Sequence, residues 1–149
     1  MTGFNHIITG IGIAVTVRHP IAAPLLAFVS HFVLDALPHY DPGYYGPHQA
    51  VHKHFKFYIL FEAMVIISIL AASVFLFQAE LWLVLLCAVA AILPDIFWLA
   101  EKAHGHRYGL KQFYTFHTII QWGERRWGWT IELVYFAIIS VTLLQYIKQ

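Results

Sequence analysis

Long apolar runs separated by short polar breaks set the layout of this chain. The first run extends from about Phe4 to Val17 and stops at Arg18-His19-Pro20. The second extends from about Ile21 to Leu37, where Pro38 disfavours further helix. A third covers Phe57 to Phe77, and Gln78-Ala79-Glu80 ties it to a fourth, Leu81 to Ala100. A fifth covers Trp129 to Ile147. Between the last two, the stretch from Lys111 to Trp122 mixes apolar and polar positions, and a helix there puts His117 and Gln121 on one face.

The expected fold is all-α: a polytopic transmembrane bundle of about five apolar helices with one interfacial amphipathic helix. No repeat or low-complexity tract divides it, so residues 1–149 are read as a single integral-membrane helical domain. At 1.5 Å per residue the first run spans only about 21 Å, short of the ~30 Å hydrocarbon core. It is either a thin or tilted span, or half of a re-entrant hairpin with the second run. A cleaved signal peptide is disfavoured, because no Lys or Arg precedes Ile7–Val17 as a charged leader requires.

Composition supports the membrane reading. Of 149 residues, 60% are hydrophobic and 11% charged, where a soluble domain would carry about a quarter charged residues. A formal net charge of +1 offers no surface for nucleic acid. The single Cys87 excludes an internal disulfide and a Cys-based zinc motif. With five crossings, Lys53, Lys56, Lys102, Arg107, Lys111, Arg125 and Arg126 share one side, against Arg18 and Lys148 on the other. That bias puts the N-terminus in the cytoplasm and the C-terminus outside, consistent with a prokaryotic inner membrane.

Ten histidines stand out in so uncharged a chain. His31 and Asp35 are four apart, one helical turn, inside an apolar segment. Such a pair is costly in a membrane unless something uses it, and a divalent cation takes both ligand types. Counting outward from a turn near His19, His6 lies thirteen residues before it and His31 twelve after, hence at matched depth. Counting from Ala79, Glu62 lies seventeen before and Asp95 sixteen after. Pro94 leaves the carbonyl of Ala90 without its helical donor, which suits an acidic residue beside it to cation binding. His117 is a further candidate ligand at the mouth of the bundle.

Each of these has a plainer reading. His6 could be an interfacial histidine with Asn5 capping the first helix, and Glu62 could sit at the headgroups or pair with Lys56. Gly10 and Gly12 read as sites of close helix approach. The connection after Pro38 holds His39, Asp41, His48, His52 and His54, a polar lid or a second metal site. His104 and His106 form another short polar group.

His6, Ser30-His31-x3-Asp35 and Leu93-Pro94-Asp95 together resemble the motifs of the YdjM-like family of membrane-bound metal-dependent hydrolases. The resemblance covers about the first forty-five residues and the region of Asp95. It implies metal roles for His6, His31, Asp35 and Asp95. The chain departs from the family in motif order, and Ile96-Phe97-Trp98 follows Asp95 where the family continues with Asp and His.

The favoured expectation is a membrane-embedded metal-dependent hydrolase acting on an amphipathic ester or phosphoester at the bilayer surface. His6, His31, Asp35, Asp95 and His117 would hold one or two divalent ions, zinc first, manganese or iron as alternatives. Asp95 or Glu62 would act as general base, and Arg107, Arg125 and Arg126 would meet phosphate oxygens. Membrane lipids and a lipid-like substrate are the expected partners; a homo-oligomer is left open. The rivals are a metal transporter or sensor, and a structural subunit whose His–Asp pair only locks helix packing.

Overall fold

The structure, a computed structural model, describes residues 1–40, 55–103, 110–125 and 127–147. Six α-helices follow one another: α1 Gly3–Val17, α2 Ala22–Asp35, α3 Phe55–Leu76, α4 Leu81–Ala103, α5 Lys111–Ile120 and α6 Gly128–Ile147. Short 3-10 turns at Gln78–Glu80 and Gln121–Gly123 link them. No strand occurs among the described residues, and His39 and Glu124 form a single isolated bridge.

Helices α3, α4 and α6 are long and apolar enough to cross a membrane. With 15 and 14 residues, α1 and α2 are shorter, about 22 and 21 Å against a ~30 Å hydrocarbon core. The last helical residue of α2 is Asp35, two short of the expected Leu37, whereas α4 continues past Ala100 to Ala103.

Local chemistry sets the tight α1–α2 turn. Arg18 adopts φ 50°, and its N–H donates to the Ala14 carbonyl, closing α1. His19 Nδ1 then accepts from the backbone N–H of Ala22 at 3.1 Å, satisfying a free donor at the start of α2. Pro24 falls in the first turn of α2, where a missing N–H is tolerated.

The core joins α1, α2 and α4. Ile7, Ile11, Ala14 and Val15 of α1 pack with Ala23 and Ala27 of α2 and with Val84, Cys87 and Ala91 of α4. Small residues bring the backbones together: a Cβ on Gly10 would sit 2.5 Å from the Cys87 carbonyl oxygen. Gly12, expected to serve the same purpose, faces open space. Arg18 Nε reaches Glu80 Oε1 at 2.8 Å and its guanidinium lies 5.3 Å from the Tyr146 ring centroid. The α1–α2 turn, the α3–α4 turn and the C-terminal end of α6 therefore share one end of the molecule.

Candidate metal centre

At the opposite end, four helices deliver polar side chains to one point. The C-terminal turn of α2 supplies His31 and Asp35, α4 supplies Asp95 beside Pro94, α5 supplies His117, and α1 supplies His6. His6, His31, Asp35 and His117 are fully buried; the Asp95 side chain is 30% exposed. One ligand atom from each of His31, Asp35, Asp95 and His117 lies within 4.8 Å of the others, a group that could hold a metal ion.

The separations fit that use. His31 Nε2 is 3.2 Å from Asp35 Oδ2 and 3.6 Å from Asp95 Oδ1. His117 Nε2 is 3.3 Å from Asp35 Oδ2 and 3.5 Å from Asp95 Oδ1. Ligand atoms set tetrahedrally at 2.0–2.2 Å around a zinc-sized ion stand about 3.3–3.6 Å apart. The two Nε2 atoms are closer, 2.8 Å, as two imidazoles sharing one proton would be.

Tautomer follows from the surroundings. His31 Nδ1 lies 2.7 Å from the Ala91 carbonyl oxygen, which can only accept. Nδ1 therefore carries a proton, which leaves Nε2 as the nitrogen that would bind a metal, the arrangement that orients a metal-binding histidine. His117 Nδ1 is buried without a partner among the described residues.

His6 stands beside the four. Its ring stacks on His31 with centroids 4.0 Å apart, and its Nε2 lies 3.1 Å from Asp35 Oδ1 and 4.0 Å from Asp95 Oδ2. Neither ring nitrogen has hydrogen-bond geometry to a described neighbour. The amino group of Met1 also contacts Asp35 Oδ1, and Gln121 Nε2 approaches Oδ2 at 3.4 Å.

Glu62 lies outside the four-residue group. It accepts a hydrogen bond from the Gly3 N–H and lines a cavity with Asp95. Glu132, from the first turns of α6, was not singled out from the sequence, yet it is 2% exposed and accepts from the N–H groups of Thr2 at 3.2 Å and Tyr40 at 2.8 Å. Its signal was an isolated acid at the start of an apolar run. The two glutamates satisfy free donors at the N-terminus of α1, where negative charge is favoured. Thr2, not Asn5, is the cap position, and Asn5 donates to Thr2 Oγ1 and the Glu132 carbonyl.

His39 is buried against the Gln121–Gly128 region. Burial pushes its imidazole below the usual histidine range, with the Met1 ammonium adding to the effect. Arg125 Nη1 donates to the Glu124 carbonyl. Asp41, His48, His52, His54, His104, His106, Arg107 and Arg126 lie outside the described residues.

Comparison with family models, with curated proteins and with solved structures finds no match for this chain.

Proposed function

We propose that this protein is a metal-dependent hydrolase of the membrane, acting on an amphipathic ester or phosphoester at the bilayer surface. One observation carries the reading: Asp95 borders both the buried His31–Asp35–His117 group and a cavity about 260 Å³ in volume. A ligand cluster that opens on a cavity can meet a substrate, whereas a packing lock has no need to. The motif resemblance to YdjM-like hydrolases points the same way.

His31, Asp35, Asp95 and His117 would hold the ion, with His6 alongside. When bound, a divalent ion such as zinc, manganese or iron supplies a Lewis acid and water with its pKa lowered toward about 7. Asp35, fully buried and touched by His6, His31 and His117, serves to hold and orient. The more exposed Asp95 is placed to accept a proton from water entering through the cavity, and Glu62, on the same wall, is the second candidate for that task.

Beyond the site, the packed Ile11, Ala14, Val15 and Val84 core supports a dead end rather than an ion conduit. The excess of Lys and Arg on the site's side supports a cytoplasmic-facing site in a prokaryotic inner membrane.

The test is hydrolysis of fluorogenic lipid esters and phosphoesters by metal-loaded protein in lipid vesicles. Asp95→Asn is expected to lower kcat by about 100- to 10,000-fold, the usual contribution of a general base. Metal content measured on the same sample separates lost chemistry from lost metal. A metal-loaded wild type that hydrolyses none of these substrates would overturn the reading.

A further inference from the structure

The four-residue group uses one oxygen from each of its two carboxylates. Asp35 Oδ2 stands 3.2 Å from His31 Nε2 and 3.3 Å from His117 Nε2. Asp95 Oδ1 stands 3.6 and 3.5 Å from the same two nitrogens. The other oxygen of each aspartate meets a different histidine: Asp35 Oδ1 is 3.1 Å from His6 Nε2, and Asp95 Oδ2 is 4.0 Å from it. Each carboxylate therefore lies between His31 and His117 on one oxygen and His6 on the other.

His6 itself calls for a partner. It is fully buried, and neither ring nitrogen has hydrogen-bond geometry to a described neighbour. Such a buried polar group is costly, and an ion at Nε2 would satisfy it. Around a six-coordinate ion with ligands at about 2.1 Å, neighbouring ligand atoms stand about 3.0 Å apart and opposite ones about 4.2 Å. The 3.1 and 4.0 Å separations at His6 fall within that span. Its ring stack agrees. The His6 and His31 rings lie 4.0 Å apart, inclined by 22°, and bring their Nε2 atoms to different oxygens of the same Asp35 carboxylate. Paired metal ions in hydrolytic sites stand about 3.5–4 Å apart. The Met1 ammonium also contacts Asp35 Oδ1, so this oxygen already draws a positive charge.

We propose that the centre takes two divalent ions, the second held by His6 Nε2, Asp35 Oδ1 and Asp95 Oδ2, with both aspartates bridging to the ion at His31 and His117. With three protein ligands against four, the second site fills after the first, and its ion displaces the Met1 ammonium from Asp35. Its remaining positions belong to water or substrate arriving along Asp95, which is 30% exposed and lines the cavity. Manganese, which accepts six ligands rich in oxygen, suits it. The second ion rests on the metal reading of the four-residue group and does not depend on hydrolysis. One consequence does: with both Asp95 oxygens on ions, Glu62 on the same cavity wall is left to accept the proton.

The experiment uses the full, untagged chain in detergent, stripped with a chelator and titrated with manganese. Bound ions are counted at equilibrium, and electron paramagnetic resonance reports their spacing. The wild type is expected to take up two ions per chain, its spectrum passing from that of a single ion to that of an exchange-coupled pair as the second site fills. His6→Phe keeps a ring against His31 and removes the nitrogens. It should take up one ion per chain and give no coupled signal at any manganese concentration. Should that variant not fold, His6→Leu removes the same nitrogens. A wild type that binds one ion, or two without coupling, would overturn the second site and leave the four-residue centre in place. A coupled pair that persists without His6 would also sink it. A folded wild type that binds no ion at all would remove both sites. A coupled pair in a chain that hydrolyses nothing would uphold the second ion and contradict the hydrolase reading alone.

Discussion

His31 shows how much a single side chain can settle. Its Nδ1–H is committed to the Ala91 carbonyl, so Nε2 is the nitrogen turned toward Asp35, Asp95 and His117. His6 contributes differently, through a stacked ring and one close approach to Asp35. A His6→Phe substitution keeps the stack and removes the nitrogens. It is expected to weaken metal affinity at the four-residue group by about 10- to 100-fold, as loss of a supporting partner does, measured by competition with a chelator. A complete loss of binding would make His6 a direct ligand there. His39 yields a pH prediction. Its folded pKa is lowered by burial, so the unfolded chain binds a proton first, and stability falls as pH drops below about 6.5. Thermal unfolding in detergent should show a shallower acid-side loss for His39→Gln than for the wild type. The His31–Asp35 spacing and the depth match of His6 with His31 were legible in the sequence, because helical periodicity and a short turn fix both. The commitment of Nδ1 to Ala91 was not, since it joins residues sixty positions apart.

At the scale of the helix, α1 is held at both its face and its end. Its face depends on Gly10: a methyl there would press the Cys87 carbonyl at 2.5 Å, so Gly10→Ala should destabilise the fold by about 1–3 kcal/mol. Gly12 is the control. It faces open space, and Gly12→Ala should be neutral or stabilising by up to about 1 kcal/mol, from helix propensity alone. The end depends on Glu62 and Glu132, which accept from Gly3 and Thr2. Glu132→Gln turns one acceptor into a donor facing the N–H groups of Thr2 and Tyr40. A loss of about 1–3 kcal/mol is expected from the donor left unmatched, read from the same detergent unfolding series. The apolar runs located α1 to α4 and α6 within a few residues, because long hydrophobic stretches leave little other choice. They could not distinguish Gly10 from Gly12, which differ only in the neighbour each meets.

Across the whole molecule, the polar chemistry is segregated. Both hairpin turns meet at the Arg18–Glu80 pair, and the His–Asp cluster lies at the other end. Helices α1 and α2 return the chain to the same side whether or not the pair crosses the bilayer. Crossings by α3, α4 and α6 would then leave the C-terminus on the side opposite the cluster. Reporter fusions are expected to place the C-terminus outside the cytoplasm and the connection before α3 inside it. Fusions reporting both on one side would contradict that topology. Neither crossing count nor cluster depth was fixed by hydropathy, since 15- and 14-residue helices fall short of a full span.

The most direct measurement is the metal content of detergent-purified, untagged protein, by mass spectrometry, beside a His31→Ala/Asp35→Ala variant. Near-stoichiometric divalent metal in the wild type, lost from a variant that still folds, is the expected result. A folded wild type that takes up no divalent ion, even when supplied with zinc, manganese or iron, would contradict the metal centre and leave His31 and Asp35 as a packing lock.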